Sequence, residues 1–281
     1  METVFRLLFF EVLGLGVIAT VVNSFGWRDR LMRTRRPIED KLLRSPGETL
    51  QRECQNLNDY VMGLLAGIAA TPAILIGQMP RTISGGHIVL MALAVLAWAG
   101  PLIYLLGRRR NLSLALRGER AVAEELSRLM LEGCHVFHDY PAGPKWNIDH
   151  IIIAPSGVYA VETKTRRKTA FEDKNDYEVV FDGNKLIFPR GLDTESIEQV
   201  RRNAAELSQE LAKGTAEPVQ VKGIVTLPGW FIEREGKGDV SVLNPREIRQ
   251  VVLSNEKPLL SAQQIQRIAF QVEQKCRDVE L

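Results

Sequence analysis

Two apolar runs, residues 147–154 and 157–164, are separated only by Pro155 and Ser156, and they carry an unusual set of acids and bases. Asp149 and His150 lie in the first run; Glu162 and Lys164 lie in the second. Burying an unpaired charge among isoleucines and valines costs several kcal/mol. A strand pair that carries such charges is usually built around a bound cation or a reaction. Two carboxylates on one face repel each other and take up protons unless a cation neutralises them. Oxygen ligands from Asp149, Glu162 and a backbone carbonyl suit Mg2+ or Mn2+, hard ions that keep several waters. A lysine beside such an ion can orient the attacking water, help deprotonate it, or stabilise charge developing on a phosphate. The chemistry within reach of these residues is metal-assisted hydrolysis of a phosphodiester.

That chemistry depends on the turn. If Pro155-Ser156 is a two-residue loop, Ala154 faces Gly157 and Asp149 sits opposite Glu162, with Cβ atoms ~5 Å apart. Lys164 then projects from the same face. A type I turn closed by a glycine bulge suits the same residues, shifts the pairing by one, and sends the two acids to opposite faces. Both registers are open to this sequence. His150 faces away from Asp149 in any regular strand, which makes it a core or second-sheet histidine.

The surrounding elements alternate between α and β. An amphipathic helix is expected over 117–132, with Val122, Leu126, Leu129 and Met130 on one stripe. A strand follows near His135–Phe137, then the central hairpin, then a second hairpin around Asp182-Gly183-Asn184. Asp193 or Thr194 caps a helix running to about Lys213. A buried strand at 219–227, a short strand at 240–243 and helices near 246–252 and 261–277 complete the chain.

The set Asp149, then Glu162-Thr163-Lys164 across a hairpin, resembles the Asp…Glu-x-Lys core of the PD-(D/E)xK nuclease superfamily. With Gly118-Glu119-Arg120 opening a helix, Asn147-Ile148-Asp149-His150, Gly157-Val158-Tyr159 and Gln199-Val200-Arg201-Arg202-Asn203, the wider pattern over roughly 112–225 is similar to the nuclease-related domain called NERD. The resemblance implies a restriction-endonuclease-like mixed sheet flanked by helices. It also implies metal ligands at Asp149 and Glu162, a catalytic Lys164, and supporting roles for Glu119 and Gln199. One departure is Ile148, where such nucleases commonly have proline before the aspartate.

Simpler readings compete at each position. Glu162 and Lys164 could be a strand-end ion pair worth under ~1 kcal/mol. Glu119 could be a first-turn acid favoured by the helix dipole, and Gln199 a capping partner for Ser196. Arg166-Arg167-Lys168, directly after the Glu-x-Lys strand, could engage nucleic-acid phosphates or form a solvated basic turn near lipid headgroups. No basic stretch is interleaved with aromatics, so base stacking and sequence-specific readout find no support.

Averaged over 281 residues, a chain 45% hydrophobic and 25% charged looks like an ordinary soluble protein. The distribution does not. Residues 60–79 and 88–107 contain no charged side chain, and each suffices to cross a bilayer core of ~30 Å. Residues 7–25 form a third candidate, interrupted by Glu11; a cleaved signal peptide is disfavoured because no small-x-small site follows. Eight Lys or Arg lie in 28–59, Arg81 alone lies between the later spans, and Arg108-Arg109-Arg110 follow the last. By the positive-inside rule the basic loop 28–59 and everything after 107 are cytoplasmic. The expectation is a multi-pass inner-membrane region, 1–107, and a cytoplasmic nuclease-like domain, 108–281. Cys54, Cys134 and Cys276 form no Cys-x-x-Cys pair, so neither a disulfide framework nor a zinc site is expected.

Two functions follow from different classes. One is a membrane-tethered, Mg2+- or Mn2+-dependent nuclease acting on DNA or RNA without sequence preference, as a homodimer where both strands of a duplex are cut. The other is a nuclease fold kept as a binding or scaffolding module at the membrane. Buried charges at Asp149, Glu162 and Lys164 favour the first, since a pure scaffold has no need of them.

Overall fold

The structure, a computed structural model, describes residues 41–78, 84–143, 146–168, 177–254 and 258–279. The expected span at 7–25 and the first part of the basic loop lie outside them. In chain order the elements are β1 (Leu42–Leu43), α1 (Glu48–Gln78), α2 (Gly85–Leu131), β2 (His135–Gly143), β3 (Trp146–Ala154), β4 (Gly157–Thr163), β5 (Glu178–Phe181), β6 (Leu186–Phe188), β7 (Gly191–Asp193), α3 (Glu195–Thr215), β8 (Val221–Thr226), β9 (Phe231–Arg234), β10 (Val240–Leu243), α4 (Pro245–Val252), α5 (Ala262–Cys276) and β11 (Arg277–Val279). Contacts divide the chain into two units, one holding Arg52–Leu112 and the other Asp40–Gln51 with Ser113–Leu281.

In the first unit, α1 and α2 pack through small residues. The Trp98 indole lies against Gly67, where a Cβ would sit 3.1 Å from the ring, and its Nε1 donates to the Thr71 hydroxyl at 3.0 Å. Close approach of this kind is typical of helix pairs that gain nothing from expelling water. Among the described residues α2 is the one helix long and apolar enough to cross a membrane, and none of its apolar window is buried within the chain. The expected amphipathic helix at 117–132 is not separate: it is the end of α2. Nothing between Arg108 and Arg117 breaks a helix, so the change from apolar to charged residues alters the surroundings of the helix and not its backbone.

The second unit is a mixed α/β domain. Its central sheet has the order β10-β8-β4-β3-β2, with β2, β3 and β4 antiparallel and β4, β8 and β10 parallel. β3 and β4 are almost wholly buried because helices cover both sheet faces. Ile151, Ile153, Val158 and Ala160 pack with Leu207 and Leu211 of α3 and with Ile268 and Val272 of α5. On the other face Ile152, Tyr159 and Val161 meet Val122, Leu126 and Leu129 of α2 and Ile248 of α4. A smaller sheet, β7-β6-β5-β9, packs with Ile197 and Val200 of α3 and with Val225, Val240 and Val242 of the central sheet. The short β7 and β9 and the β1–β11 pair had no counterpart in the sequence reading, being too short for a periodic signal.

The turn takes the two-residue form, with Ala154 paired to Gly157 and His150 to Val161. Gly157 has φ +131°, a value side-chain-bearing residues rarely adopt. No bulge intervenes between β3 and β4, so continuing the register by one residue sets Asp149 opposite Glu162.

Candidate active site

Asp149, Glu162 and Lys164 come together at the end of the β3–β4 hairpin. Asp149 is 7% exposed and Glu162 6%. The Thr163 backbone N–H donates to Asp149 Oδ2 at 2.7 Å. The carboxyl pKa of Asp149 nonetheless rises to about 7, chiefly through burial, with the Asp139 charge adding to the rise and Lys164 opposing it. Burial also pushes Glu162 well above the ordinary carboxylate range, followed by repulsion from Asp149, against the pull of Lys164. Lys164 thus lies close enough to both acids to stabilise their charged forms. Its own backbone N–H is anchored on the Thr226 carbonyl of β8 at 2.9 Å.

Glu119 joins the group from α2. It is 5% exposed, and its pKa is pushed up to about 9 by burial, then by the charges of Asp149 and Asp139. Its Oε2 is buried without a hydrogen-bond partner, an arrangement that calls for a proton, a donor or a cation. Gly118 permits this approach: any Cβ there would collide with the Thr165 side chain just past β4. A first-turn dipole role for Glu119 does not apply, because residue 119 lies deep within the continuous α2.

Gln199 reaches the site less directly. It is half-buried in a cleft of about 430 Å3 shared with Trp146, Glu195, Arg202 and Asn203. Among the described residues no hydrogen bond links it to the carboxylates. Asn203, one turn further along α3, instead donates from Nδ2 to Glu162 Oε2 at 3.4 Å. Ser196 is no capping partner for Gln199, since its N–H and hydroxyl both donate to Asp193 at 2.9 Å.

Two site neighbours were not foreseen. Asp139 of β2 is fully buried with φ +50°, and its carboxylate charge acts on both Asp149 and Glu119. It accepts from Arg44 at 2.9 Å, from Thr49 N–H at 3.1 Å, from the Thr49 hydroxyl at 2.7 Å and from Asn147. The segment ahead of α1 is therefore part of the wall behind the site. Asn203 lay in a quoted motif and on the helix face of Gln199, four residues on, so its position was the available signal. His150 points away from Asp149 as expected, contacting His138 Nδ1 at 2.8 Å and the Thr163 hydroxyl at 3.2 Å.

The basic cluster is only partly solvated, with Arg167 and Lys168 exposed and Arg166 half-buried. Arg166 lies 4.2 Å from the centre of the Phe188 ring and 3.5 Å from Asp193, and Lys168 lies 5.5 Å from the Trp230 ring. Arg167 lines a narrow cleft with Arg190. The expectation that basic residues lack aromatic company is corrected here, because the aromatics come from β6 and the β8–β9 loop, distant in sequence.

No group of three or more His, Cys, Asp or Glu side chains is placed to hold a metal among the described residues. The expected donor set needs only two carboxylates, with backbone and water completing an octahedral ion. The all-oxygen set and the mutual repulsion of Asp149 and Glu162 fit a small hard cation. All three cysteines are free. Among curated proteins and among solved structures, none matches the chain significantly. The stretch that carries the acids and the lysine, residues 115–228, does match the family model of NERD, the nuclease-related domain.

Proposed function

We propose that this chain is a membrane-tethered, metal-dependent nuclease that hydrolyses phosphodiester bonds of DNA or RNA. The observation that carries the reading is the convergence of Glu119, Asp149, Glu162 and Lys164 on one sheet end, with three acids held above their ordinary pKa. Stability alone gives no reason to gather them, since apolar residues of similar size would serve the core better.

Asp149 and Glu162 would hold Mg2+ or Mn2+, which when bound supplies a polarised phosphate and an activated water. The Thr163 amide orients Asp149, and Asn203 orients Glu162, so neither carboxylate need reorganise during the reaction. Lys164 presents a positive charge to the same point, where it can stabilise negative charge developing on a phosphate oxygen. Without a metal, burial and the charges of Asp149 and Asp139 keep Glu119 protonated at neutral pH, so that it can donate a hydrogen bond to its neighbours. Arg166, Arg167 and Lys168 lead away from this centre as a path for the phosphate backbone.

The apolar window of α2, the neighbouring α1 and the arginines at 108–110 support an inner-membrane anchor with the nuclease unit in the cytoplasm. Reporter fusions after residues 45 and 281 should then report cytoplasm, and one at 84 the outside. Purified full-length protein in detergent, incubated with Mg2+ or Mn2+ and with single-stranded DNA, duplex DNA and RNA, tests the activity. Cleavage of none of them would leave the domain as a binding module.

A further inference from the structure

We propose that a second cleft in the same unit is a base-stacking subsite, which makes single-stranded nucleic acid the preferred substrate class; this rests on the nuclease reading above. The cleft encloses about 610 Å3 and is lined by Lys168, Tyr177, Trp230, Phe231, Asn244 and Arg246 among others. A narrower recess of about 50 Å3 adjoins it, sharing Lys168 and Trp230 and adding Arg166, Phe188 and Arg190.

Its walls are aromatic and cationic together. Tyr177 is 51% exposed and Phe231 59%, and their rings form an edge-to-face pair 6.5 Å apart. A hydrogen bond from the Phe231 N–H to the Tyr177 carbonyl, 2.9 Å, holds the two backbones in register. Leaving two large rings exposed forfeits burial that a core position would reward. Trp230, by contrast, is buried against Phe188, yet its Nε1–H has no acceptor. Glu125, the acid in the wall, is neutralised by Arg128 at 2.9 Å and Arg246 at 3.8 Å. Lys168 and the largely exposed Arg246 leave the cleft cationic. The α4 N-terminus beside it contributes no anion site, because Asn244 and Glu247 already cap it.

The cleft lies along the same strand exit as the candidate active site. Lys164 and Lys168 are four residues apart, at most ~14 Å of extended chain. A strand cut near Lys164 would pass Arg166 and reach the aromatic rim a few nucleotides later. Only an unpaired base presents its π-face to such a rim, whereas a duplex keeps its bases stacked on each other. The chemistry therefore selects single strands or splayed ends.

The test is fluorescence anisotropy of the full chain in detergent with EDTA present, so that no cleavage intervenes. A short labelled DNA single strand should bind about ten-fold or more tighter than the duplex of the same sequence. The Tyr177→Ala/Phe231→Ala variant should lose about ten-fold or more of the single-strand affinity and none of the duplex affinity. Tyr177→Phe should bind like the original chain, since the stacking face is kept. Equal affinity for both forms, or an unchanged double variant, overturns the proposal even if the protein cuts DNA. Tight single-strand binding without any cleavage in Mg2+ would uphold the subsite and remove the hydrolytic reading.

Discussion

The backbone N–H of Thr163 points at Asp149 Oδ2, 2.7 Å away, across the hairpin. This bond ties the acid of β3 to the residue between Glu162 and Lys164. It is possible only in the register where Ala154 meets Gly157, because a slip of one residue would turn Asp149 to the other face of the sheet. It also explains why Asp149, though buried, remains near pKa 7 while Glu119 is pushed to about 9. A donated amide stabilises the carboxylate, and Glu119 Oε2 has no such partner.

Asp149→Asn and Lys164→Ala should each lower Mg2+-dependent cleavage by about a hundred-fold or more, the usual loss when a group acting on transition-state charge is removed. Both variants should stay folded by circular dichroism. Asp149→Asn should match or exceed the original melting temperature in chelator, since one repelling charge is gone. Retained cleavage in either variant would remove that residue from the mechanism.

Asn203→Ala removes the 3.4 Å hydrogen bond to Glu162 while leaving both acids and the lysine in place. The expected result is about a ten-fold or larger rise in the Mg2+ concentration needed for half-maximal cleavage. A metal titration identical to that of the original chain would assign Asn203 to packing alone.

Stability should depend on pH in two opposed ways. Glu119 is raised from 4.5 to about 9 in the folded chain, so its contribution is complete below pH 4.5 and is lost as pH rises towards 9. His138 is lowered from 6.5 to about 4 by burial, so its contribution is complete above pH 6.5 and is lost as pH falls towards 4. Thermal melts in EDTA should therefore decline as pH rises towards 9 and as it falls towards 4. Asp149, raised to about 7, and Glu162, also raised, lose stability in the same direction, so Glu119→Gln should shrink the alkaline decline without abolishing it. An alkaline decline of unchanged size in Glu119→Gln would remove Glu119 as a source.

Arg44→Ala should destabilise the second unit by about 3–5 kcal/mol, because it strands the buried Asp139 without its charge partner. Arg44 also bonds Asp278 at 2.5 Å, so the C-terminal strand should loosen with it. Replacing Arg44 and Asp139 together, as Arg44→Met/Asp139→Asn, should recover much of the loss. Chemical denaturation followed by intrinsic fluorescence reads both, and a near-neutral Arg44→Ala would contradict the buried-charge argument.

What this sequence determined by itself was local. The hairpin, its three chemistry-bearing residues and the apolar stripe of residues 117–132 sit within short windows whose periodicity reports directly on burial. The family pattern was legible for the same reason, since its motifs are short and ordered. Two things within those windows still required the fold. The Pro155-Ser156-Gly157 turn suits either of two registers, and only helices packed on both faces of β3 and β4 select one. The run from Arg108 to Arg117 ends an apolar stretch without ending a helix, because hydropathy reports the surroundings and not the backbone.

The remainder was decided by tertiary structure. Arg44 meets Asp139 across 95 positions, Asn203 meets Glu162 across 41, and the aromatic rim joins Tyr177 to Phe231. Pairings at such separations leave no periodic trace, since each partner alone reads as an ordinary polar or surface residue. They form only when the two sheets and the helices packed on them bring distant parts of the chain together.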